Sequence, residues 1–282
     1  MRVTFWGVRG SIPCPGRTHA RYGGNTSCVE LEIGSSSVVL DAGTGLRALG
    51  ASLARRGVAR IHLLLSHTHW DHTCGLPFFG PAYDPSSEIT IVAGHASERA
   101  GGVCGILASQ IAPPSFPVSL AQMPARLSFR DVPAGASFEL EGGGRVRTAR
   151  LVHPDGATGF RVEHAGASVA YVTDTEHEPG RLDPSVLTLI EGADLVIYDC
   201  TYTDEELASH RGWGHSTWEE GVRLCVAAGA KRLAIFHHDP DHDDAFMDRV
   251  AREAKRRWSG AFVAREGMTI ALSPGRPRGA KR

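Results

Sequence analysis

Ile61-His62-Leu63-Leu64-Leu65-Ser66-His67-Thr68-His69-Trp70-Asp71-His72 passes from an apolar run straight into three histidines and an aspartate. A short apolar run that ends at a polar residue is read as a buried strand. A tight loop at the end of such a strand points alternate side chains into one cleft. His67 and His69, two apart, suit one cation, while Asp71 and His72 face a second. Imidazole mixed with carboxylate suits zinc, iron or manganese and leaves coordination open for water.

Further ligands of a dinuclear site are expected at other strand ends. His153 follows the strand Val146–Val152, Asp174 follows Val169–Thr173, and His237 follows Leu233–Phe236. In each case a run that reads as a strand delivers a polar residue at its C-terminal end. His238 is the alternative to His237.

Two stretches share a rhythm of strands followed by a helix. The first holds strands at Arg2–Val8, Cys28–Ile33 and Val38–Leu40, a helix at Leu46–Arg56 and a strand at Ile61–Leu65. The second holds strands at Arg145–Leu151, Thr158–Glu163 and Ser168–Val172, a helix at Pro184–Gly192 and a strand at Leu195–Tyr198. Helices at Thr217–Ala228 and Asp244–Trp258 and strands at Leu233–Phe236 and Met268–Leu272 follow. The expected fold is α/β, two mixed sheets packed face to face with helices outside, an αββα sandwich. Gly101–Pro124, with four prolines and no clear period, reads as a long loop. Residues 1–273 are expected to form one domain, and the basic, proline- and glycine-containing 274–282 a disordered tail.

The His-x-His-x-Asp-His run with these strand-end residues resembles the metallo-β-lactamase superfamily, in the branch of ribonuclease Z and related phosphodiesterases. The resemblance runs from Val3 to Leu272. It implies that His67, His69 and His153 hold one metal, that Asp71, His72 and His237 hold the other, and that Asp174 bridges them. It also implies that Asp41, in Asp41-Ala42-Gly43-Thr44-Gly45, supports the metal loop by hydrogen bonding. Gly214-His215-Ser216-Thr217 resembles an element of ribonuclease Z whose histidine pairs with a carboxylate; here Asp199 stands where that family has glutamate.

Two divalent cations, with zinc first and Mn2+ or Fe2+ as the other candidates, would activate a shared water, so no serine or cysteine nucleophile is required. His215, oriented by Asp199, is the expected proton donor to the leaving alkoxide, with Asp71 beside them as the third catalytic residue. The reaction read from this set is phosphodiester hydrolysis. Hydrolysis of another ester, lactone or thioester, RNA processing, and binding without catalysis are the alternatives.

Net charge is −1 with a pI near 6.9, and His153 and Asp174 are only 21 residues apart, where ribonuclease Z often carries an arm that grips transfer RNA. These features favour a small phosphodiester, a cyclic nucleotide first, and no large nucleic acid as partner. Arg21, Tyr22 and Asn25 are candidate substrate contacts from a loop near the N-terminus. By the resemblance, two protomers pair as a homodimer. No apolar run reaches about 18 residues, and six scattered cysteines read as free thiols, so a cytoplasmic protein without a membrane partner is expected.

Overall fold

The computed structural model describes residues 1–97 and 99–273; the expected basic tail, 274–282, lies outside the described residues. Among the described residues, fourteen strands divide equally between two mixed sheets. The first is built from β1 (Arg2–Gly7), β2 (Cys28–Ile33), β3 (Ser36–Leu40), β4 (Arg60–Leu65), β5 (Glu88–Ala93) and β6 (Arg126–Asp131). The second is built from β7 (Ser137–Glu139), β8 (Arg145–Leu151), β9 (Ala157–His164), β10 (Ala167–Val172), β11 (Leu195–Asp199), β12 (Leu233–Phe236) and β13 (Ala261–Val263). The last strand, β14 (Thr269–Ala271), returns to the first sheet beside β1. Spatial orders are β14-β1-β2-β3-β4-β5-β6 and β13-β12-β11-β10-β9-β8-β7.

Period-two alternation explains how each sheet buries two faces. Val3, Phe5, Leu31, Leu40 and Leu64 of the first sheet meet Phe160, Tyr171, Ile197 and Phe236 of the second in a shared core. The opposite face of the first sheet, with Ile61, Leu63, Leu65 and Ile91, lies under α1 (Leu46–Arg56) and, later in the chain, α3 (Gly102–Gln110). Between them, α2 (Trp70–Thr73) is a single turn inside the histidine-rich loop. On the second sheet, α4 (Pro184–Ile190), α6 (Trp218–Ala227) and α7 (Asp244–Arg257) cover Val172, Val196 and Ile235, and α5 (Asp204–Leu207) is a short turn ahead of α6. The expected αββα sandwich is the architecture observed.

Several pieces are not legible in the sequence, β7 (Ser137–Glu139) among them. Gly101–Pro124 is not loop throughout, because its first part is α3, which buries Val103 and Leu107. Its other face is also apolar, so no helical period stands out. Strand β6 carries Arg126, Arg130 and Asp131 on an exposed edge, and β13 has three residues, too few for a visible alternation.

Candidate metal centre

The C-terminal ends of the central strands converge at one edge of the sandwich. All seven histidines and aspartates expected there arrive together. Donor atoms of His67, His69 and His153 lie within 4.8 Å of one another, as do those of Asp71, His72, Asp174 and His237. Asp174 joins the groups, with Oδ2 3.3 Å from Nε2 of both His72 and His237 and Oδ1 3.9 Å from Nε2 of His67 and His153. His238 takes no part: its Nε2 bonds the Ala264 carbonyl at 2.9 Å, so of the two adjacent histidines only His237 faces the cluster.

Hydrogen bonds on the far side of each ring fix which nitrogen is bare. His72 Nδ1 donates to Asp41 Oδ2 at 2.7 Å and His153 Nδ1 donates to the Gly214 carbonyl at 2.9 Å. The Ser66 hydroxyl donates to Asp41, so its oxygen accepts from His67 Nδ1 at 3.1 Å. The Thr201 hydroxyl donates to Asp199 and accepts from His237 Nδ1 at 2.9 Å. All four rings therefore turn Nε2 inward. Nε2 of His67, His72 and His237 is buried with no hydrogen-bond partner, a costly state unless something electropositive sits between them. With two carboxylates beside them, this donor set fits two divalent cations.

Charge tells the same story. Burial pushes the His67 ring well below its ordinary pKa, and neighbouring imidazoles push it further. Burial acts on His72 too, but Asp71, Asp174 and Asp41 outweigh it and hold that ring well above the usual range. Asp71 and Asp174 stay well below the usual carboxylate range despite their burial, because imidazoles crowd them. The pocket thus gathers negative charge that attracts cations.

Backbone strain marks the same place. Among the described residues, six that are not glycine have positive φ, and four of these are Ser11, Asp41, Asp174 and His237, at 56–61°. Each costs of order 1–3 kcal/mol and persists because contacts over-determine it. Asp41 accepts from Ser66 N and Oγ, His72 Nδ1 and the Tyr171 hydroxyl, each at 2.7 Å.

His215 stands at the rim of the cluster, its ring 5.0 Å from His237 and 5.4 Å from His153. Its Nδ1 donates to Asp199 Oδ2 at 3.0 Å. Asp199 also accepts from the amides of Thr175 and Thr201 and the Thr201 hydroxyl. Burial alone would lower the His215 pKa, but the Asp199 carboxylate more than reverses this and raises it to about 9. Thr217, not His215, caps α6.

Three residues of the site, Ser11, Gly10 and Gln110, were not picked out in the sequence, and Gly214 and His95 join them there. The Ser11 amide donates to Asp71 Oδ2 at 2.8 Å. Gly10 faces the His237 ring so closely that an added Cβ would lie 2.4 Å from it. Gly214, at φ 83°, leaves 2.2 Å between such a Cβ and His153 Nδ1. Gln110 of α3 binds the Thr68 carbonyl at 2.7 Å, and His95 binds the Thr68 hydroxyl at 3.0 Å. Only glycine next to a candidate ligand would have signalled any of these beforehand.

The substrate contacts expected of Arg21, Tyr22 and Asn25 are not what the geometry gives. Arg21 pairs with Asp248 at 2.7 Å, the Tyr22 hydroxyl donates to Asp248 at 3.0 Å, and Asn25 binds Glu266 through backbone and side chain. These side chains tie the N-terminal loop to α7 and to the turn before β14. Their acidic partners lie more than 220 residues away in sequence, which is why the local reading missed them.

Residues 36–238 match the family described as Beta-lactamase superfamily domain. The chain belongs to the metallo-β-lactamase superfamily, on its ribonuclease Z-like branch. It is 24% identical to the ribonuclease Z of Haloarcula marismortui over 95% of this chain and 96% of the relative. Among solved structures it is similar to the metallo-β-lactamase fold protein YhfI of Bacillus subtilis, with TM-score 0.72, 20% identity, and coverage of 95% of this chain and 98% of that one. The short form of human tRNase Z gives TM-score 0.69 and 21% identity, over 97% and 100% of the two chains. Superfamily relatives that span the whole chain and are named as ribonucleases overturn the expectation that a large nucleic acid is excluded as a partner. A near-zero net charge averages over the surface and does not describe the face that meets a substrate. No helix among the described residues is long and apolar enough to cross a membrane.

Proposed function

We propose that this metallo-hydrolase is a metal-dependent phosphodiesterase. The observation that carries the proposal is the His215–Asp199 pair beside the two donor groups. Two divalent cations, zinc first, held by His67, His69 and His153 and by Asp71, His72 and His237, with Asp174 shared, would supply Lewis acidity toward water and the attacked phosphoryl group. The chain's own residues do the rest. Asp199 holds the His215 ring by Nδ1, which leaves Nε2 to give a proton to the departing alkoxide. Asp41, Ser66, Thr201 and the Gly214 carbonyl keep four imidazoles aimed inward without rearrangement. The Ser11 amide orients Asp71.

Within this class the finer reading is a small cyclic nucleotide. A plain β9–β10 hairpin fills the stretch between His153 and Asp174. RNA is the second reading, favoured by the whole-length relatives named ribonuclease Z. The proposal takes residues 1–273 as one domain, acting as a homodimer in the cytoplasm.

Metal analysis of the purified protein, followed by a turnover panel, tests this reading. The panel holds bis(p-nitrophenyl) phosphate, cyclic mono- and dinucleotides, a short oligoribonucleotide, a lactone and nitrocefin. Two equivalents of metal with turnover of diesters are expected. Metal-loaded protein that opens the lactone and leaves every diester intact would refute the proposal.

A further inference from the structure

The apolar residues left on the surface are concentrated around the candidate metal centre. Trp70 is 67% exposed and sits between His69 and Asp71. Trp213 is 60% exposed and directly precedes Gly214, whose carbonyl holds His153. Val152 immediately precedes His153, and Ile12 immediately follows Ser11, whose amide holds Asp71; both are exposed. Four of the seven exposed large apolar side chains among the described residues thus adjoin a residue of the site. Exposed apolar side chains gathered beside the residues of a site mark a place that something covers.

The two indoles are set differently from each other. Trp213 packs edge-on against His210 at 5.1 Å; His210 stacks on Tyr202 at 4.3 Å, and Tyr202 meets His215 edge-on at 6.0 Å. This aromatic file braces Trp213 from behind and leaves it open to solvent. Among the described residues no aromatic ring pairs with Trp70, which projects from the one-turn helix that carries Asp71 and His72. Flat, exposed and flanking a site for phosphoryl chemistry, the pair has the features that hold nucleobases by stacking, a contact that tolerates any base because every base has a π-face.

We propose that Trp70 and Trp213 are the base-stacking platform of the substrate site, so that the diester hydrolysed here carries nucleobases. The inference rests on the phosphodiester reading and assigns to it the side chains that would hold the base. A small cyclic nucleotide and the end of an RNA present the same stacking chemistry, and the assay separates these sources.

The test uses the metal-loaded full chain with Trp70→Ala, Trp213→Ala, and Phe replacements at both positions. Steady-state constants are compared for a 2′,3′-cyclic mononucleotide, a short oligoribonucleotide and an abasic ribose 2′,3′-cyclic phosphate followed by phosphorus NMR. Each alanine variant is expected to raise KM for base-bearing diesters roughly ten- to hundredfold, with kcat changed far less. Phenylalanine should restore most of the loss. The preference of the protein for base-bearing over abasic diester should fall by the same factor as KM rises. A KM effect confined to the oligonucleotide assigns the platform to RNA, whereas one shared with the mononucleotide assigns it to a single base.

Three results overturn the proposal: unchanged KM in both alanine variants, equal KM shifts for abasic and base-bearing diesters, or unchanged KM together with a change in sedimentation. The last would make the rim a contact between copies of this chain. Quenching of tryptophan emission by a non-hydrolysable nucleotide is read without turnover. If the wild-type protein cleaves no diester yet shows quenching that Trp70→Ala and Trp213→Ala remove, the phosphodiester reading fails and the platform stands. Cleavage without such quenching gives the reverse.

Discussion

The two sheets follow one plan. Strand orders β14-β1-β2-β3-β4-β5-β6 and β7-β8-β9-β10-β11-β12-β13 match position by position, antiparallel over the first four strands and parallel over the rest. Asp41 after β3 and Asp174 after β10 are counterparts, each in left-handed backbone, at φ 61° and 56°. Their duties differ. Asp41 is consumed by four hydrogen bonds that hold the frame, while Asp174 faces the inward imidazoles and accepts locally from Thr173. The segments at the ends of the fifth strands exchange duties the other way. Ser66–His72 after β4 supplies four candidate ligands, whereas Asp199–Thr201 at the end of β11 positions His237 and His215. One backbone arrangement, used twice, builds a frame in one place and a reactive face in the other.

The largest effect expected from breaking this asymmetry is at His215. His215→Ala should lower turnover of a diester roughly 10²- to 10⁴-fold with both metals retained, as measured by steady-state kinetics and metal analysis. Unchanged turnover would make Asp199–Thr201 purely a scaffold and erase the contrast. Next comes the aspartate pair. Asp41→Asn should weaken metal binding roughly 10- to 100-fold in a chelator competition, the usual scale for a group that orients a ligand. Asp174→Asn should weaken it further, because its oxygens approach donors of both groups. Equal losses at the two positions would show that the counterparts share one role.

The same asymmetry explains what could be read in the sequence. The first half packs His67, His69, Asp71 and His72 into one loop after an unmistakable strand, so residue spacing alone reveals it. The second half contributes His153, Asp174 and His237 singly, and a lone polar residue after a strand is ordinary; strand-end placement nominated these three, but only the family resemblance gave them their parts. Both sheets were legible because buried strands alternate or run apolar. The struts were not, since the bonds from Tyr171 to Asp41 and from Ser11 to Asp71 span 130 and 60 residues. Arg21, Tyr22 and Asn25 misled for the same reason.

A pH profile sharpens the contrast between support and chemistry. A proton donor works while it holds its proton, so turnover should fall as pH rises through the pKa of His215, which Asp199 raises against burial to about 9. Replacing that carboxylate by Asp199→Asn leaves burial unopposed by its charge. The alkaline limb of kcat should then move to lower pH, while Asp41→Asn, acting on the other half, leaves that limb in place. Movement of the limb in both variants would mean that it reports the whole cluster and not His215.

The smallest effect concerns two adjacent histidines, His237 in the cluster and His238 behind it. His238 is fully buried, and burial, helped by the charge of Arg9, lowers its pKa from 6.5 to about 3. The folded state therefore keeps it neutral where the unfolded chain takes up a proton, so its stabilising contribution is complete above pH 6.5 and drains away as pH falls toward 3. At about 1.4 kcal/mol per pH unit, the loss by pH 5 is about 2 kcal/mol. His238→Gln keeps a donor near the Ala264 carbonyl and has nothing to titrate. In urea unfolding at pH 7 and pH 5, the wild-type protein should lose about 2 kcal/mol more than the variant between the two conditions. Equal losses would mean that the acid sensitivity belongs to the cluster itself, and that the wall behind His237 is as reactive as its face.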